Sequence, residues 1–336
     1  MKKLLLILLC LPFIGYGQTV YIPDANFKAY LVGNTAINTN GDSEIQVSEA
    51  TSFNGDISCG QMNITDLTGI EVFSSLTSLD CQSNSLTTLN VSQNTVLESL
   101  VCVYNQLTSL DVSQNTALTD LFCEGNQLTS LDVSQNIDLE FMSCGDNQLI
   151  NLNLNGADAL TQLSCGVNLL TSLDLSTNTS LTNFSCNSNQ ITSLNVNGAT
   201  ALTSLDCSYN QLTSLDLSTN TALYQIHCYN NELQNLDLSN NTNLLNVYCN
   251  NNQLTNLDFR NGNNTYVQNW GQFWCTNNPN LTCINVDNAT LSTANWTIAN
   301  GSIDPQHYFS NNCSATSLEE NSSRKELLKV TDLLGR

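Results

Sequence analysis

Apolar side chains recur along this chain with a period of 21 residues and a constant spacing within each period. The unit at residues 97–117 has Leu, Leu, Cys and Asn at its positions 1, 4, 6 and 9, and Leu, Leu, Val and Asn at positions 11, 14, 16 and 19. Apolar and polar residues alternate within each half of the unit, which predicts two short β-strands and leaves no room for a helix. We therefore expect a stack of similar coils rather than a globular core.

The repeat covers more than half of the chain, as nine units from Leu76 to Asn264. Position 6 is cysteine in every unit: Cys81, Cys102, Cys123, Cys144, Cys165, Cys186, Cys207, Cys228 and Cys249. Because stacking places equivalent residues side by side, the units can be compared position by position. Positions that do not vary are expected to hold the coils together, and variable positions are free to bind a ligand.

The motif L-x-x-L-x-C-x-x-N at positions 1–9 resembles that of leucine-rich-repeat proteins. Since positions 11–19 repeat it with valine in place of cysteine, the unit is similar to the nested 21-residue type, called IRREKO, of bacterial surface proteins. The resemblance implies a leucine-rich-repeat solenoid, α/β in class by family. We expect it to be β-dominated here, with parallel short strands on both sides of each coil and little or no helix in the repeats.

Two polar columns have structural explanations. The asparagine at position 9 stands where the chain turns out of the strand, so its amide can satisfy backbone groups of its own coil and of the next coil. The cysteine column lacks the short C-x-x-C pairs of most zinc sites. Parallel Cβ directions in neighbouring coils make disulfides between them awkward. We therefore expect a column of buried free thiols.

Aromatic residues are predicted to be exposed on the first half of the unit, at the outward positions 3, 5, 7 and 8. The other outward residues there are mostly small and polar. Exposed aromatic side chains on such a surface favour a ligand-binding site, although neutral surface variation would leave the same pattern. The candidate binding residues fall into two groups, which are Tyr104, Phe122 and Phe141, and then Tyr209, His227, Tyr229 and Tyr248.

The second half of the unit is monotonous, with Leu-Thr-Ser-Leu-Asp in four units. Position 15 is aspartate in six units and asparagine in the other three. Such a column could hold cations weakly, but a solvated edge is the simpler interpretation.

Residues 18–75 are predicted to cap the first coil. The stretch from Asp24 to Val32 predicts a short helix with Asp24 as its N-cap. The loop that follows resembles an EF-hand calcium loop, although its first position is Asn, its sixth is Ser43 rather than Gly, and no clear helix is expected after it. The ligands of such a loop would be Asn38, Asn40, Asp42, Glu44 and Glu49. A plain acidic loop is the alternative, and no cofactor besides Ca²⁺ is implied.

Residues 265–313 are predicted to cap the last coil. The aromatic residues expected to cover that coil are Tyr266, Trp270, Phe273, Trp274 and Trp296. The stretch Cys275-x-x-Asn278 repeats the motif of the unit once more. In an exported protein, Cys283 and Cys313 are the natural candidates for a disulfide.

Both termini predict export. Residues 1–17 combine a basic start, an apolar run and small residues before Gln18, as signal peptides do. Residues 314–336 predict a linker and a segment that resembles the start of the C-terminal sorting domain of type IX secretion, with a short amphipathic tail as the alternative. Such domains normally continue further, so this signal is truncated or the chain is a fragment. The expected location is secreted or on the outer surface of a Gram-negative bacterium.

Composition narrows the function classes. The formal net charge is −21, with only 8 Lys and Arg among 336 residues, which disfavours nucleic acids and anionic membranes as partners. After the signal peptide no apolar run is long enough to span a bilayer. The only histidines, His227 and His307, stand in no recognisable catalytic motif, so no enzyme is predicted.

The sequence therefore predicts a secreted or surface leucine-rich-repeat module that binds a protein partner through the variable face of its first half-coils. Two alternatives stay open. The same aromatic residues could stack on the sugar rings of a glycan. The chain could also be a non-catalytic spacer or the targeting part of a larger secreted protein.

Overall fold

The first half-coils form one continuous sheet. The computed structural model describes residues 18–264, 267 and 272–313, which wind into a β-solenoid of about 12 coils. Eleven short strands pair in parallel along the stack, and we name this sheet the major ladder. Its strands, in order, are β1 (Asp56–Ser58), β2 (Ser78–Asp80), β3 (Ser99–Val101), β4 (Asp120–Phe122), β6 (Phe141–Ser143), β8 (Gln162–Ser164), β10 (Asn183–Ser185), β12 (Ser204–Asp206), β13 (Gln225–His227), β15 (Asn246–Tyr248) and β17 (Gln272–Trp274).

The second half-coils pair less completely, in three separate parallel sheets that we name together the minor ladder. Its strands are β5 (Ser130–Asp132) with β7 (Asn151–Asn153), β9 (Ser172–Asp174) with β11 (Ser193–Asn195), and β14 (Asn235–Asp237), β16 (Asn256–Phe259), β18 (Cys283–Val286) and β19 (Tyr308–Ser310). The same five residues, Leu-Thr-Ser-Leu-Asp, contain a strand at 128–132 and none at 107–111. Local sequence therefore does not decide where the minor ladder breaks.

The predicted leucine-rich-repeat solenoid is confirmed, with parallel strands on both sides of the stack and little helix. Coils also continue into both predicted caps, because β1 pairs with β2 and β17 pairs with β15. A 3-10 turn at Ile70–Val72 leads into the first regular unit.

The asparagine at position 9 connects adjacent coils as predicted, but it bonds the preceding coil rather than the next one. The amide nitrogen of Asn126 donates to the carbonyl oxygens of Cys102 and Cys123, each at 3.0 Å. Its side-chain oxygen accepts from the backbone N–H of Leu107, also at 3.0 Å. One side chain thus satisfies three backbone groups in two coils, and the other units repeat the arrangement.

The asparagine at position 19 is less completely bonded. The amide of Asn136 donates to the carbonyls of Val112 and Asn115 at 3.1 and 2.8 Å. Its side-chain oxygen is buried without a hydrogen-bond partner. The same is true of the equivalent oxygens in Asn94, Asn115, Asn178, Asn220 and Asn241.

The cysteine column is buried in the core. Eleven cysteines of the described chain are free and buried, which are Cys59, the nine cysteines of the units and Cys275. Burial raises the pKa of the Cys165 thiol to about 12, so this thiol stays protonated. Outside the column, Cys283 and Cys313 are joined by a disulfide that brings their Cα atoms to 5.8 Å.

Two short helices form the N-terminal cap. Helix α1 spans Ala25–Gly33 and is capped by the Asp24 carboxylate, so the predicted helix is confirmed to within one residue. Helix α2, Val47–Ser52, follows the loop, and the expectation of no clear helix there was wrong. A capping box between Gln46 and Glu49 starts α2, and its six residues are too few to show a helical period.

Aromatic stacking closes the C-terminal end. The rings of Phe273 and Trp296 are buried and stack 4.5 Å apart, near helix α3, Ala289–Asn295. Trp274 was predicted to belong to this cap but is 46% exposed on the major ladder. It follows Phe273 directly in strand β17, and successive side chains of a strand point to opposite faces.

Several predictions fall outside the described residues, which are the signal peptide, the sorting segment, Tyr266 and Trp270. Within the described ranges, no helix combines the length and the apolar character needed to cross a bilayer.

Candidate ligand-binding face

The outward surface of the major ladder is built from aligned columns of side chains. Strand register places position 5 of each coil beside position 5 of the next. Along the stack this column reads Asp80, Val101, Phe122, Ser143, Ser164, Ser185, Asp206, His227, Tyr248 and Trp274. Three serines and Asp206 therefore separate a short apolar stretch from a run of aromatic rings.

Five rings form a continuous chain on this face, which we name the late cluster (Tyr209, Tyr229, His227, Tyr248 and Trp274). In that order, the distances between successive ring centroids are 5.2, 6.4, 4.5 and 5.2 Å. Three of the four contacts are edge-to-face, a favourable geometry for aromatic pairs. Because the rings hold one another in place, the late cluster is a preformed surface.

The early cluster consists of Tyr104, Phe122 and Phe141, which lie in three successive coils. Tyr104 is 60% exposed, and its ring lies over Gly125, where an added Cβ would come within 2.4 Å of the ring. Phe122 and Phe141 are half-buried in the paired strands β4 and β6, as diagonal neighbours. All seven residues predicted to bind a ligand thus lie on or beside the major ladder.

Position 8 of the unit has a left-handed backbone. The φ angle is 54° at both Tyr104 and Tyr209, and 55° at Val167. This conformation suits glycine and asparagine and is unfavourable for bulky residues. Two other coils have Asn230 and Asn251 at this position. Tyrosine at a strained position is the kind of local conflict that marks functional surfaces.

A groove of about 530 Å³ runs along the stack between the two clusters. Phe122 and Phe141 line it at one end, and Asp206 and His227 line it at the other. The position-5 residues between them are Ser143, Ser164 and Ser185. The groove therefore has aromatic rings beside the carboxylate of Glu124 at one end, is neutral and polar in the middle, and has Asp206 and His227 at the other end.

Asp206 supplies the charge at its end of the groove. Burial opposes ionisation of this carboxyl, but nearby His227 and the hydrogen bonds from Ser208 outweigh it and lower the pKa of Asp206. The Ser208 hydroxyl donates to Asp206 at 2.6 Å, and His227 Nδ1 lies 3.9 Å from the other carboxylate oxygen. Because the serine bonds the aspartate rather than the histidine, these residues do not form a nucleophile–base pair. Nothing in the described part of the chain points to catalysis.

Sequence reasoning missed two residues of this face. Trp274 directly precedes Cys275, just as Tyr248 precedes Cys249, and that spacing could have assigned it to position 5. Asp206 was expected to point outward, but its neighbours in sequence do not show that its carboxylate lies at the end of a groove.

The EF-hand-like loop is held by its own hydrogen bonds. Glu49 Oε1 accepts from the backbone N–H groups of Thr39 and Asn40, at 2.8 and 3.1 Å, and Oε2 accepts from that of Gln46 at 3.0 Å. Burial opposes ionisation of Glu49, but these hydrogen bonds lower its pKa. Glu49 therefore closes the loop and starts helix α2.

The other predicted calcium ligands are also engaged. Asn38 accepts from Gly41 N at 3.0 Å, and the backbone N–H of Glu44 donates to Asp42 at 2.8 Å. Glu44 forms an ion pair with Lys28 at 2.6 Å. No three His, Cys, Asp or Glu side chains among the described residues are placed to hold a metal ion. The oxygen atoms suit calcium in kind, but here they serve the loop, and calcium binding stays a prediction.

The aspartates at position 15 cap turns on the opposite face. Asp132 accepts from the backbone N–H of Ser134 at 2.9 Å and from the Asn153 amide at 3.1 Å. Aspartates with the same bond to the residue two positions later are Asp111, Asp174, Asp216, Asp237 and Asp258. These bonds support the interpretation of the column as a solvated edge.

Comparison with known proteins finds similarity to internalin J in sequence and in structure. Over 84 residues the chain is 40% identical to internalin J of Listeria monocytogenes serotype 4b (strain F2365). This matched stretch covers 24% of this chain and 9% of internalin J. The solved functional domain of InlJ from Listeria monocytogenes, described as including a cysteine ladder, matches with a TM-score of 0.58 and 34% identity, over 80% of this chain and 66% of that one. The chain has the leucine-rich-repeat fold.

The leucine-rich-repeat fold extends to more distant proteins. A leucine-rich-repeat protein of Leptospira interrogans matches with a TM-score of 0.50 and 20% identity, over 58% of this chain and 60% of that one. No family model matches the chain. The leucine-rich-repeat chain spans less than two thirds of the length of internalin J and of the solved InlJ domain.

Proposed function

We propose that this leucine-rich-repeat chain is a recognition module that binds a partner protein through the major-ladder face. The observation that carries the proposal is the groove between the two aromatic clusters, on a face whose other outward residues are mostly Ser, Asn and Gln with a few carboxylates. Buried aromatic anchors surrounded by neutral polar residues are typical of the energetic centres of protein interfaces. Internalin J and the solved InlJ domain support a repeat module of this kind.

The ring geometry favours a protein over a glycan. The three edge-to-face contacts in the late cluster have interplanar angles of 76°, 89° and 70°, and the fourth contact is tilted at 55°. Consecutive sugar rings stack best on flat, similarly oriented aromatic faces, and rings that alternate in orientation offer no such platform. The same surface suits side chains that insert between the rings.

We also propose that the module acts outside the cytoplasm, secreted or displayed on the outer surface of a Gram-negative bacterium. The sequence of residues 1–17 supports export. The disulfide between Cys283 and Cys313 supports an oxidising compartment, because such bonds rarely persist in the cytosol.

Calcium binding by the Asn38–Glu49 loop is a separate proposal with its own test. Excess calcium should raise the melting temperature of the wild-type chain relative to a chelator, and should leave Glu49→Gln unchanged. If the two proteins respond alike, or neither responds, the loop is a hydrogen-bonded cap and not a calcium site.

The experiment for the main proposal screens residues 18–336 against immobilised extracellular proteins and a glycan array. A triple variant, Tyr209→Ser, Tyr229→Ser and Tyr248→Ser, removes three rings of the late cluster. The matched control is Ile150→Thr, which removes an exposed apolar side chain from the opposite side, where most coils have threonine. Melting temperatures of all variants show whether the fold is intact.

We expect a protein ligand that the triple variant no longer binds and that the control binds as well as the wild type does. A glycan ligand with the same dependence would replace the proposed partner class. A ligand unaffected by the triple variant would move the site to the early cluster or to a cap. The absence of any ligand would favour the spacer alternative.

A further inference from the structure

The charge of the described chain is almost entirely unpaired and negative. Its only Lys and Arg residues are Lys28 and Arg260, and both form ion pairs with carboxylates of the chain itself. Lys28 pairs with Glu44 in the N-terminal cap, and Arg260 pairs with Asp258 on the minor-ladder side. Among the described residues, the major-ladder face therefore offers no lysine or arginine to an anionic partner, and a cationic partner is electrostatically complementary to it.

Within the groove this charge is localised at the ends. Asp206 is the carboxylate next to His227, and Glu124 lines the groove beside the early cluster. One oxygen of Asp206 accepts two hydrogen bonds from Ser208, while the other lies 3.9 Å from His227 Nδ1, beyond hydrogen-bond distance. That second oxygen is left able to accept a charge-assisted hydrogen bond from a ligand.

We propose that the groove holds an extended segment of the partner protein, with a Lys or Arg side chain against Asp206 and an apolar side chain against Phe122 and Phe141. This inference rests on the proposed function and names the chemistry of the partner. The middle of the groove supports an extended backbone, because it includes the exposed side-chain amides of Gln162 and Asn183. Those amides can pair with the unsatisfied N–H and C=O groups of an extended segment, whereas a helix satisfies its own.

The stack sets the spacing of the two anchors. Phe122 and Asp206 occupy the same position four coils apart. At the usual separation of paired strands, that is roughly 19 Å, which an extended chain covers in about six residues. An even separation also places both anchor side chains on the same side of an extended segment. The segment should therefore have its apolar and basic anchors about six residues apart.

The test uses synthetic peptides of Ser and Gly that contain one Leu and one Arg, six residues apart. Matched peptides replace Arg with Glu, replace Leu with Ser, or shorten the separation to three residues. Binding to residues 18–336 is measured by fluorescence anisotropy at low and high salt. The variants are Asp206→Asn, Asp80→Asn and Phe122→Ser, each with its melting temperature.

Asp80→Asn is the matched control for Asp206→Asn. Asp80 also occupies position 5, and its carboxylate accepts from the backbone N–H of the residue two positions later, as that of Asp206 does. Asparagine keeps that acceptor in both variants, so folding should be preserved. Asp80 is not part of the groove lining.

We expect the Leu–Arg peptide with the longer separation to bind best and to lose about tenfold in affinity on Asp206→Asn and on raising salt. Asp80→Asn should change that affinity by less than about twofold. Phe122→Ser, which introduces the residue of the next three coils, should remove the preference for Leu over Ser.

Equal binding of the Arg and Glu peptides, or equal loss on both Asp variants, would overturn the basic anchor. A peptide that does not bind, while the tyrosine-dependent protein ligand is captured, would overturn this inference and leave the proposed function intact. If neither the peptide nor a tyrosine-dependent protein ligand binds, both this inference and the proposed function are overturned.

Discussion

The two sides of each coil contain the same motif but are stabilised differently. On the major side, Asn126 satisfies two carbonyls and one N–H, and the strands continue through the whole sheet. On the minor side, Asn136 satisfies two carbonyls and buries an unpaired oxygen, and the strands break into three sheets. Two minor-side coils have Ala157 and Ala199 in place of this asparagine.

This difference explains where the variable chemistry is found. The major side has a continuous hydrogen-bonded frame, so its outward positions can accept aromatic, charged or strained residues without loss of the coil. The minor side has fewer connections, and its surface stays monotonous, with turn-capping aspartates such as Asp132. The more completely bonded side therefore carries the candidate binding face.

The largest expected effect is alkaline unfolding driven by the major side. The folded Cys165 thiol has a pKa of about 12 against an ordinary value of 9.0, and burial also raises the pKa of eight other column cysteines. The pKa of Cys249 is raised by its hydrogen bond with the Cys275 thiol and by burial. Above about pH 9 the unfolded chain releases protons that the folded chain retains, so the free energy of unfolding falls as pH rises. Each cysteine contributes roughly 1 kcal/mol of this loss by about pH 10, and the column on the order of 10 kcal/mol.

Denaturant midpoints measured from about pH 8 to about pH 10 check this expectation. In a variant with Cys144→Val and Cys165→Val, two column cysteines are replaced by valine, the residue that several coils have at the equivalent minor-side position. The free energy of unfolding of this variant should fall less with pH, by the contribution of two thiols. A midpoint that does not change with pH would show that the column is not protonated and buried as described.

The second prediction compares the two asparagines directly. Asn126→Ala leaves the carbonyls of Cys102 and Cys123 and the N–H of Leu107 without their partner, and should lower the free energy of unfolding by about 3 kcal/mol. Asn136→Ala removes two hydrogen bonds, but it also removes a side-chain oxygen that is buried without a partner. It should therefore lower the free energy of unfolding by only about 1 kcal/mol. Thermal and denaturant midpoints measure both, and equal losses would contradict the comparison.

The third prediction concerns backbone strain on the major side. Val167 is a β-branched residue at φ 55°, and Val167→Asn should stabilise the chain by about 1 kcal/mol. Tyr209→Asn should stabilise the chain less than Val167→Asn does, because it also removes the ring contact with Tyr229, whose centroid lies 5.2 Å away. Val103→Asn, one residue before the left-handed position of its coil, is the control and should give no gain. Loss of stability in Val167→Asn would rule out strain at this position.

The smallest expected effect lies on the minor side. Replacing Asp111, Asp132 and Asp174 together by Asn keeps each turn-capping acceptor and removes three like charges. The free energy of unfolding, obtained from the melting temperature, should change by less than about 0.5 kcal/mol. Divalent cations should not stabilise the wild type more than the variant. A cation-dependent difference between them would instead support a binding role for the aspartate column.

Much of the fold followed from the sequence because a repeat supplies its own internal comparison. The period, the inward positions, the coupling role of the position-9 asparagines and the N-cap at Asp24 all depend on local alternation and side-chain chemistry. Helix α2 was missed because its start depends on the reciprocal bond between Gln46 and Glu49, which a six-residue segment does not reveal. Trp274 was misassigned because aromatic content near the chain end was taken for cap packing.

The sequence by itself determined which residues of each repeat unit point inward and that the seven candidate binding residues lie on the variable face, but not that Trp274 joins them. Only the tertiary structure decided that Phe122 and Asp206 border the same groove, that the late cluster forms one chain of contacts, and that the minor ladder breaks. The reason is physical. The face of the sheet toward which a side chain points is fixed by the alternation of adjacent residues in a strand. A groove and a ladder instead depend on side chains and backbones that stacking brings together from distant coils.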